Sequence, residues 1–269
     1  MTDDEMTGAA APPRTDSTVT THFAQFYREV SSRLQAIADD AASGAFDPAI
    51  DLVVAGLESG GVLQAFGTGH SQAFAMEVAG RAGGFVPTSQ IALRDVVVRG
   101  SREASQLSGG GLERDATVVD ELFALSVIDP ADVFLIASNS GVNGSIVGVA
   151  LRAKADGHRV IAVTSLEHTN AVTPKHPSGL RLSEIADVTI DNRAPYGDTT
   201  IELPSGIGVG AVSSMTAAYI AQLLTIGAAT RIAETGATPP VYISANIPGG
   251  DEHNHVLEAR YGDRIRRSA

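Results

Sequence analysis

The sequence predicts an α/β fold in which helices cover both faces of a parallel β-sheet. The clearest evidence lies in residues 131–147, where the apolar run Val133 to Ala137 enters a loop of serines, asparagines and glycines before a helical pattern. Residues 62–71 show the same order earlier in the chain. Strands that are apolar throughout are typical of parallel sheets buried on both sides. The apolar run within Arg159 to Thr164 predicts a further strand of this kind.

Composition limits the classes of function that fit. The chain has 269 residues, 43% of them apolar, and a net charge of −12, and it contains no cysteine. The acidic balance argues against nucleic acid as the main partner, and the missing cysteines exclude disulfide or thiolate chemistry. Since no apolar run is long enough to span a membrane and the acidic N-terminus does not resemble a signal peptide, we expect a cytoplasmic protein without membrane contacts. Nothing in the pattern indicates a cofactor.

The chain divides into three parts. Residues 1–17 are acidic and rich in Ala and Pro, which predicts a disordered leader. Residues 18–236 form the predicted domain, which opens with two helices; the second starts at Asp47-Pro48, with Asp47 as its N-cap. Residues 237–269 are a C-terminal extension.

The remaining pattern is less regular. Residues 99–115 are polar and Gly-rich, which predicts an exposed loop that covers the site, and residues 166–180 predict a second long polar loop. Val188 to Ile190 predicts the last strand. The apolar stretch Gly210 to Glu234 predicts a long buried helix, either central or in a subunit interface.

Two loops are the candidate binding site. Residues 67–71 and 138–145 each follow an apolar strand and open a helix, and parallel strands bring such loops to one edge of the sheet. Free backbone N–H groups at a helix start favour an anion. Because neither loop contains Lys or has the spacing of a nucleotide P-loop, phosphate on a small molecule is favoured over a nucleotide. The predicted contacts are Gly69, Ser71, Ser138, Asn139, Ser140, Asn143 and Ser145; the alternative is that these residues only cap helices and form turns.

The two loops resemble those of the SIS (sugar isomerase) family. Gly67-Thr68-Gly69-His70-Ser71 resembles the family's Gly-x-Gly-x-Ser loop, and residues 138–143 resemble its Ser-x-Ser-Gly-x-Thr loop with Asn143 in place of Thr. Ser145 stands where an acidic residue is common. Further stretches, such as His176-Pro177-Ser178-Gly179, resemble a stand-alone, poorly characterised branch. The resemblance implies a flavodoxin-like α-β-α sandwich of three layers around about five parallel strands. It also implies a phosphosugar ligand and a homodimer or homotetramer with composite sites.

Aldose–ketose isomerisation supplies the catalytic hypothesis. It needs a base, usually a carboxylate, and an acid/base for ring opening, often His. Glu77 is the candidate base, because burial on the helix after the first loop would raise its pKa; the alternative is a helical ion pair with Arg81. His176 and His70 are the candidates for ring opening, and Glu113 is a weaker acid/base candidate.

Two functions therefore stay open, a phosphosugar isomerase and a non-catalytic phosphosugar-binding sensor or pathway partner. A buried Glu77 beside the loops would favour the enzyme, whereas a Glu77 paired at the surface would favour the binder. A metal site formed by His253, His255 and Asp251 on an extended segment is less favoured than a solvated polar tail, so no metal is predicted.

Overall fold

The computed structural model describes residues 18–266, so the predicted leader 1–17 lies outside the described residues. In chain order the helices and strands are α1 (Thr18–Ala42), α2 (Asp47–Glu58), β1 (Leu63–Gly67), α3 (Gln72–Val78), β2 (Thr88–Ile91), α4 (Asp95–Val98), α5 (Gly111–Arg114), α6 (Val118–Ala124), β3 (Val133–Ala137), α7 (Gly144–Ala155), β4 (Arg159–Thr164), α8 (Leu166–Ala171), α9 (Leu182–Ile185), β5 (Val188–Asp191), β6 (Thr199–Glu202), β7 (Gly208–Ala211), α10 (Ser213–Glu234) and α11 (Gly250–Glu258). Short 3-10 helices span Gly69–Ser71, Ala104–Leu107 and Gly262–Arg264.

The predicted parallel sheet is confirmed. Five strands lie in the order β2-β1-β3-β4-β5, and every neighbouring pair in this sheet is parallel. Strand β3 is central, with Leu63 and Arg159 opposite its first residue, Val133. All strands therefore present their carboxyl ends, and the loops that follow, at one edge.

The alternation of side chains along the strands builds two cores and hence three layers. Val133, Leu135 and Ala137 face a core shared with α2, α3 and α10, and Ile37 of α1 also lies there. Phe134 and Ile136 face the opposite core, which contains residues of α6 and α7. Since successive residues of a strand point to opposite faces, a wholly apolar strand must be covered on both sides. The three-layer α-β-α sandwich is confirmed.

Three details of the local prediction were wrong. Asp47 is the first residue of α2, after Phe46 as N-cap, so it does not cap the helix itself. The loop predicted for residues 166–180 begins with α8, because the hydroxyl of Ser165 accepts a hydrogen bond from the N–H of His168 and caps a short helix. Gly210 and Ala211, predicted as the start of the long helix, instead end strand β7, which pairs antiparallel with β6.

The C-terminal extension packs against the sheet instead of forming a solvated tail. Residues 240–242 pair with residues 83–86 through backbone hydrogen bonds, and the N–H of Gln90 in β2 donates to the carbonyl of Arg266. Val86, Tyr242 and Leu257 form a third buried cluster. The polar stretch is the helix α11, which buries Asn254. The extension thus covers the outer edge of β2.

The long helix α10 uses much of its apolar surface within the subunit. Ile220 and Leu224 are buried against α2 and α3, and Val212, just before the helix, is buried as well. Met215 and Ile226 remain exposed. Among residues 18–266 no helix combines the length and the apolar character needed to cross a membrane.

Candidate functional site

The first loop turns sharply because β1 ends in a glycine. A Cβ on Gly67 would lie 2.2 Å from the carbonyl oxygen of Ser71, so only glycine allows the loop to fold back on the strand. The 3-10 turn Gly69–Ser71 follows, and α3 continues from it. His70 is exposed and Ser71 is half-buried. The hydroxyl of Ser71 has no hydrogen-bond partner among residues 18–266, so it is available to a ligand.

The second loop is held more firmly. The hydroxyl of Ser138 accepts a hydrogen bond from the N–H of Gly141 at 3.0 Å, and Gly141 has a positive φ of 64°. The side chain of Ser138 is therefore a structural acceptor in the loop, and its hydroxyl can still donate a hydrogen bond to a ligand. The hydroxyl of Ser140 has no partner within the described part of the chain, so it is free to donate to a ligand.

A small cavity lies between the two loops. His70 and Ser71 line it from the first loop, Ser138 and Asn139 from the second, and the other lining residues are Phe74, Ala137, Val163, Asn192, Ser213, Ser214 and Ala217. Its volume of about 10 Å³ leaves room for about one water molecule. Ser71, Ser138 and Asn139 of the predicted contacts thus lie at this cavity, whereas Gly69, Ser140, Asn143 and Ser145 do not line it.

The end of β5 and the start of α10 form the wall of the cavity opposite the two loops. Asn192 follows β5, and its amide Nδ2 donates to Oδ1 of Asn139 at 3.1 Å, which fixes the Asn139 side chain at the cavity. Ser213 and Ser214 begin α10 and were not predicted as site residues. The prediction that this helix starts at Gly210 hid them, because it placed both serines inside the helix.

Glu113 is the residue whose position the sequence does not reveal. Its Oε1 accepts a hydrogen bond from Nδ2 of Asn143 in the second loop. Its Oε2 lies beside the first loop, 3.4 Å from the point that a Cβ of Gly69 would occupy. Helix α5 packs closely against the start of α7, since a Cβ on Gly144 would fall 2.3 Å from the carbonyl oxygen of Arg114. A carboxylate therefore lies between the two candidate phosphate loops.

Two of the predicted phosphate contacts serve this segment instead. Ser145 is fully buried, and its hydroxyl donates to the carbonyl oxygen of Glu113 at 2.8 Å. The side-chain donor of Asn143 is taken by the Glu113 carboxylate, while its Oδ1 is buried and has no partner in the described residues. In this structure the side chain of Ser145 does not face the cavity.

Glu77 lies away from the cavity. Its carboxylate pairs with Arg81 on the same helix and accepts a hydrogen bond from Gln222 of α10 at 2.6 Å. The side chain is 21% exposed, and it does not line the cavity between the loops. The predicted alternative, the ion pair with Arg81, is present.

His176 is also separated from the cavity. Its Nδ1 accepts a hydrogen bond from the N–H of Ser178 at 3.1 Å, and its Nε2 lies 3.7 Å from the position of a Cβ on Gly148 in α7. Partial burial lowers the pKa of His176, which favours the neutral ring. His70 is thus the histidine that the structure brings to the site.

The electrostatic setting suits an anion. The helix α7 begins at Gly144 in the second loop, and the 22-residue helix α10 begins at Ser213 in the opposite wall. The positive ends of both helix dipoles therefore lie at this edge. The partial positive charge at the N-terminus of α10 is partly neutralised, because the carboxylate of Asp198 accepts hydrogen bonds from the N–H groups of Val212 and Ser213.

No metal site accompanies these loops in the described part of the chain. Across residues 18–266 no group of three or more His, Asp or Glu side chains could hold a metal ion. His253 and His255 lie two residues apart on α11, so they do not share a face, and Nε2 of His253 lies 2.9 Å from the carbonyl oxygen of Val241.

The family follows from the sequence match across these elements. The family model described as the SIS domain matches residues 25–165, just over half of the chain. The chain belongs to the SIS domain family. A UPF0309 protein of Listeria monocytogenes is 38% identical over 218 residues, covering 81% of this chain and 88% of that protein. A second UPF0309 protein, from Geobacillus kaustophilus, is 32% identical over 242 residues, covering 90% of this chain and 94% of that protein.

Solved structures show the same SIS fold. A phosphoheptose isomerase from Francisella tularensis superposes with a TM-score of 0.53 at 19% identity, covering 79% of this chain and 98% of that chain. The protein c3406 of E. coli CFT073, solved as a complex, gives a TM-score of 0.51 at 16% identity, covering 82% of this chain and 94% of that chain. At these identities the likeness concerns the fold.

Proposed function

We propose that this SIS protein binds a phosphosugar at the edge of the sheet where the loops after β1 and β3 meet. The observation that carries the proposal is the cavity lined by Ser71, Ser138 and Asn139, with the N-terminus of α7 beside it. Hydroxyl and amide donors with a helix N-terminus stabilise a phosphate without a fixed cation. The name of one structural relative, a phosphoheptose isomerase, is consistent with this ligand class.

The enzymatic form of the proposal is an aldose–ketose isomerase. Such a reaction needs one carboxylate to take the proton from C2 of the open-chain sugar and return it to C1. Glu113 is the better placed carboxylate, since it lies between the loops, whereas Glu77 is paired with Arg81 and Gln222. His70 lines the cavity and is the candidate for opening the sugar ring.

The non-catalytic alternative has one observation in its favour. The carboxylate of Glu77 is paired with Arg81 and Gln222, is 21% exposed and does not line the cavity, which does not suit an isomerase that uses Glu77 as its base. In that case the chain is a cytoplasmic phosphosugar sensor, and Glu113 serves only to hold the loops. The two forms of the proposal predict the same ligand and differ in whether a C–H bond is broken.

The experiment has two stages. A thermal-shift screen against a panel of phosphosugars identifies ligands, and NMR then follows entry of solvent deuterium at C1 or C2 of each hit. Glu113→Gln and Glu77→Gln are matched variants, because each removes one carboxylate charge and keeps the side-chain volume. The isomerase form predicts exchange in the wild type and in Glu77→Gln, with a rate at least about 100-fold lower in Glu113→Gln.

Other results lead elsewhere. If Glu77→Gln loses exchange and Glu113→Gln keeps it, the base is Glu77, as the sequence predicts. If no ligand that stabilises the wild type exchanges deuterium, the isomerase form is wrong and the sensor form stands. If no phosphosugar in a broad panel raises the melting temperature, phosphosugar binding itself is contradicted.

A further inference from the structure

The carboxylate of Glu113 contacts both loops of the proposed phosphate site, and no cation pairs with it among the described residues. Its Oε1 accepts a hydrogen bond from Asn143, at the N-cap of α7, and its Oε2 lies against Gly69 of the first loop. These are the groups that the sequence predicts as contacts of the ligand's phosphate. The Nδ2 donor of Asn143 can serve a carboxylate or a phosphate, and an anion that binds beside Gly69 would meet the Glu113 carboxylate, so the two anions cannot use this place together.

The cavity between the two loops is a separate feature of the site. The cavity between the loops holds about 10 Å³, far less than a small-molecule site of a few hundred Å³ needs. Coulomb repulsion acts in the same direction, because the Glu113 carboxylate is hydrogen-bonded to Asn143, a proposed phosphate contact, and opposes a second negative charge there. Glu113 is not among the residues that line this cavity, so the competition is argued from the contacts of its carboxylate with Asn143 and with the first loop.

The segment that carries Glu113 is anchored by ion pairs and is preceded by two glycines with open space around them. Arg102 forms ion pairs with Asp115 and Glu121, which fixes the segment beside α6. Gly109 and Gly110 have positive φ angles, and a Cβ on either would touch nothing within 4 Å. Because glycine changes its backbone angles at little cost, these residues can act as a hinge on the other side of α5.

We propose that Glu113 is an intramolecular competitor of the phosphate group, which must displace its carboxylate from Asn143 and Gly69 in order to bind. The inference rests on the proposed phosphosugar site and adds the regulation of that site by the 99–115 segment. It assigns Glu113 a role in ligand-free protein that is independent of any role as a base. The wild type then binds phosphate more weakly than the same two loops would bind it without the Glu113 carboxylate.

The test measures binding of inorganic phosphate to the full chain by titration calorimetry. Phosphate is the probe because it lacks the sugar that Glu113 would otherwise contact. Glu113→Ala is expected to bind phosphate about 10- to 100-fold more tightly than the wild type, the range that loss of one charged hydrogen bond implies. Glu113→Gln, which keeps the shape without the charge, should lie between them and guards against a folding defect in the alanine variant.

Glu103→Ala is the matched control, because Glu103 is an exposed carboxylate in the same segment. Tightening by Glu103→Ala equal to that of Glu113→Ala would overturn the proposal in favour of a general charge effect. Unchanged or weaker affinity in both Glu113 variants would overturn it as well. When neither Glu113 variant tightens binding but Ser71→Ala with Ser140→Ala abolishes it, the phosphate site stands and only the competitor role of Glu113 fails. If no variant binds phosphate at all, the phosphate site and the inference fail together.

Discussion

Replacing Arg264 by Met should destabilise the fold, because it removes the cation that joins the C-terminal extension to the sheet. Nη2 of Arg264 donates to Oδ1 of Asp132 at 2.8 Å, and the Asp132 side chain is fully buried. Breaking a buried ion pair from one side costs about 3–5 kcal/mol. Asp132 keeps hydrogen bonds from Val62, Gln64 and Asp129, and Arg264 is 23% exposed, so we expect a loss of about 2 kcal/mol.

Urea denaturation followed by circular dichroism measures this loss. For an m-value of about 3 kcal/mol/M, the midpoint should fall by roughly 0.7 M, and the melting temperature by about 4–8 °C. Arg260→Met is the control, since Arg260 is an exposed arginine of the same extension. A loss below about 0.5 kcal/mol in Arg264→Met, or an equal loss in the control, would refute the assignment of Arg264 as the anchor.

Three further predictions concern the loop, pH and assembly. Gly67→Ala should lower phosphosugar affinity at least about 10-fold and stability by more than about 2 kcal/mol, because the new Cβ would meet the Ser71 carbonyl. Gly111→Ala is the control, since a Cβ there has open space around it and should be nearly neutral. Calorimetric titration measures the affinity, and urea melts measure the stability. Burial would raise the pKa of Asp187, but hydrogen bonds from Lys154, Val160 and Arg159 hold it below its usual value. The resulting stability is present above about pH 4 and is lost as the pH falls through the lowered pKa. Asp187→Asn should therefore be about 1 kcal/mol less stable than the wild type at pH 7. In urea melts below pH 4 the difference in unfolding free energy between the two proteins should become smaller. A difference that does not change with pH would contradict this. Light scattering should show that the protein is a homodimer or homotetramer. Ile226→Glu, which changes an exposed apolar residue of α10, should shift the oligomer toward monomer, because we expect α10 in the interface. A monomeric wild type would contradict this.

The sheet could be predicted from the sequence because its central strands carry a strong signal. The bounds of β3 and β4 match the predicted runs Val133 to Ala137 and Arg159 to Thr164. Both faces of a parallel strand are buried, so an uninterrupted apolar run followed by glycines and serines allows few other structures. The shared edge of the two loops follows from the parallel direction of the strands alone.

The site could be predicted only where residues follow these strands directly. Ser71, Ser138 and Asn139 line the cavity, and their role as phosphate contacts stays a prediction. The position of Glu113 depends on how an irregular segment folds over the sheet, and no periodicity encodes such a contact between residues 30 positions apart.

The helical site residues were harder to place for a different reason. The direction in which Glu77 points depends on Gln222, which lies 145 residues away in the chain. A helical pattern identifies the apolar face of α3, but not which polar group of another helix meets the carboxylate. The C-terminal helix escaped prediction because its sequence is polar over much of its length, and its burial rests on a few residues such as Leu257.

The central claim is that the loops after β1 and β3 bind the phosphate of a phosphosugar. Calorimetric titration of the best ligand from the panel, beside the same sugar without phosphate, tests it most directly. Ser71→Ala with Ser140→Ala is the variant to use, because neither hydroxyl has a structural partner in residues 18–266, whereas Ser138 holds the N–H of Gly141. Ser59→Ala, at an exposed position before β1 and hence at the opposite end of the sheet, is the control.

The account predicts that the phosphosugar binds and that the sugar without phosphate does not bind measurably. The double variant should lose about 1–3 kcal/mol of binding free energy, since each hydroxyl donates to a charged group, while Ser59→Ala keeps the wild-type affinity. Equal affinity for the two sugars, or an unchanged affinity in Ser71→Ala with Ser140→Ala, would contradict the claim.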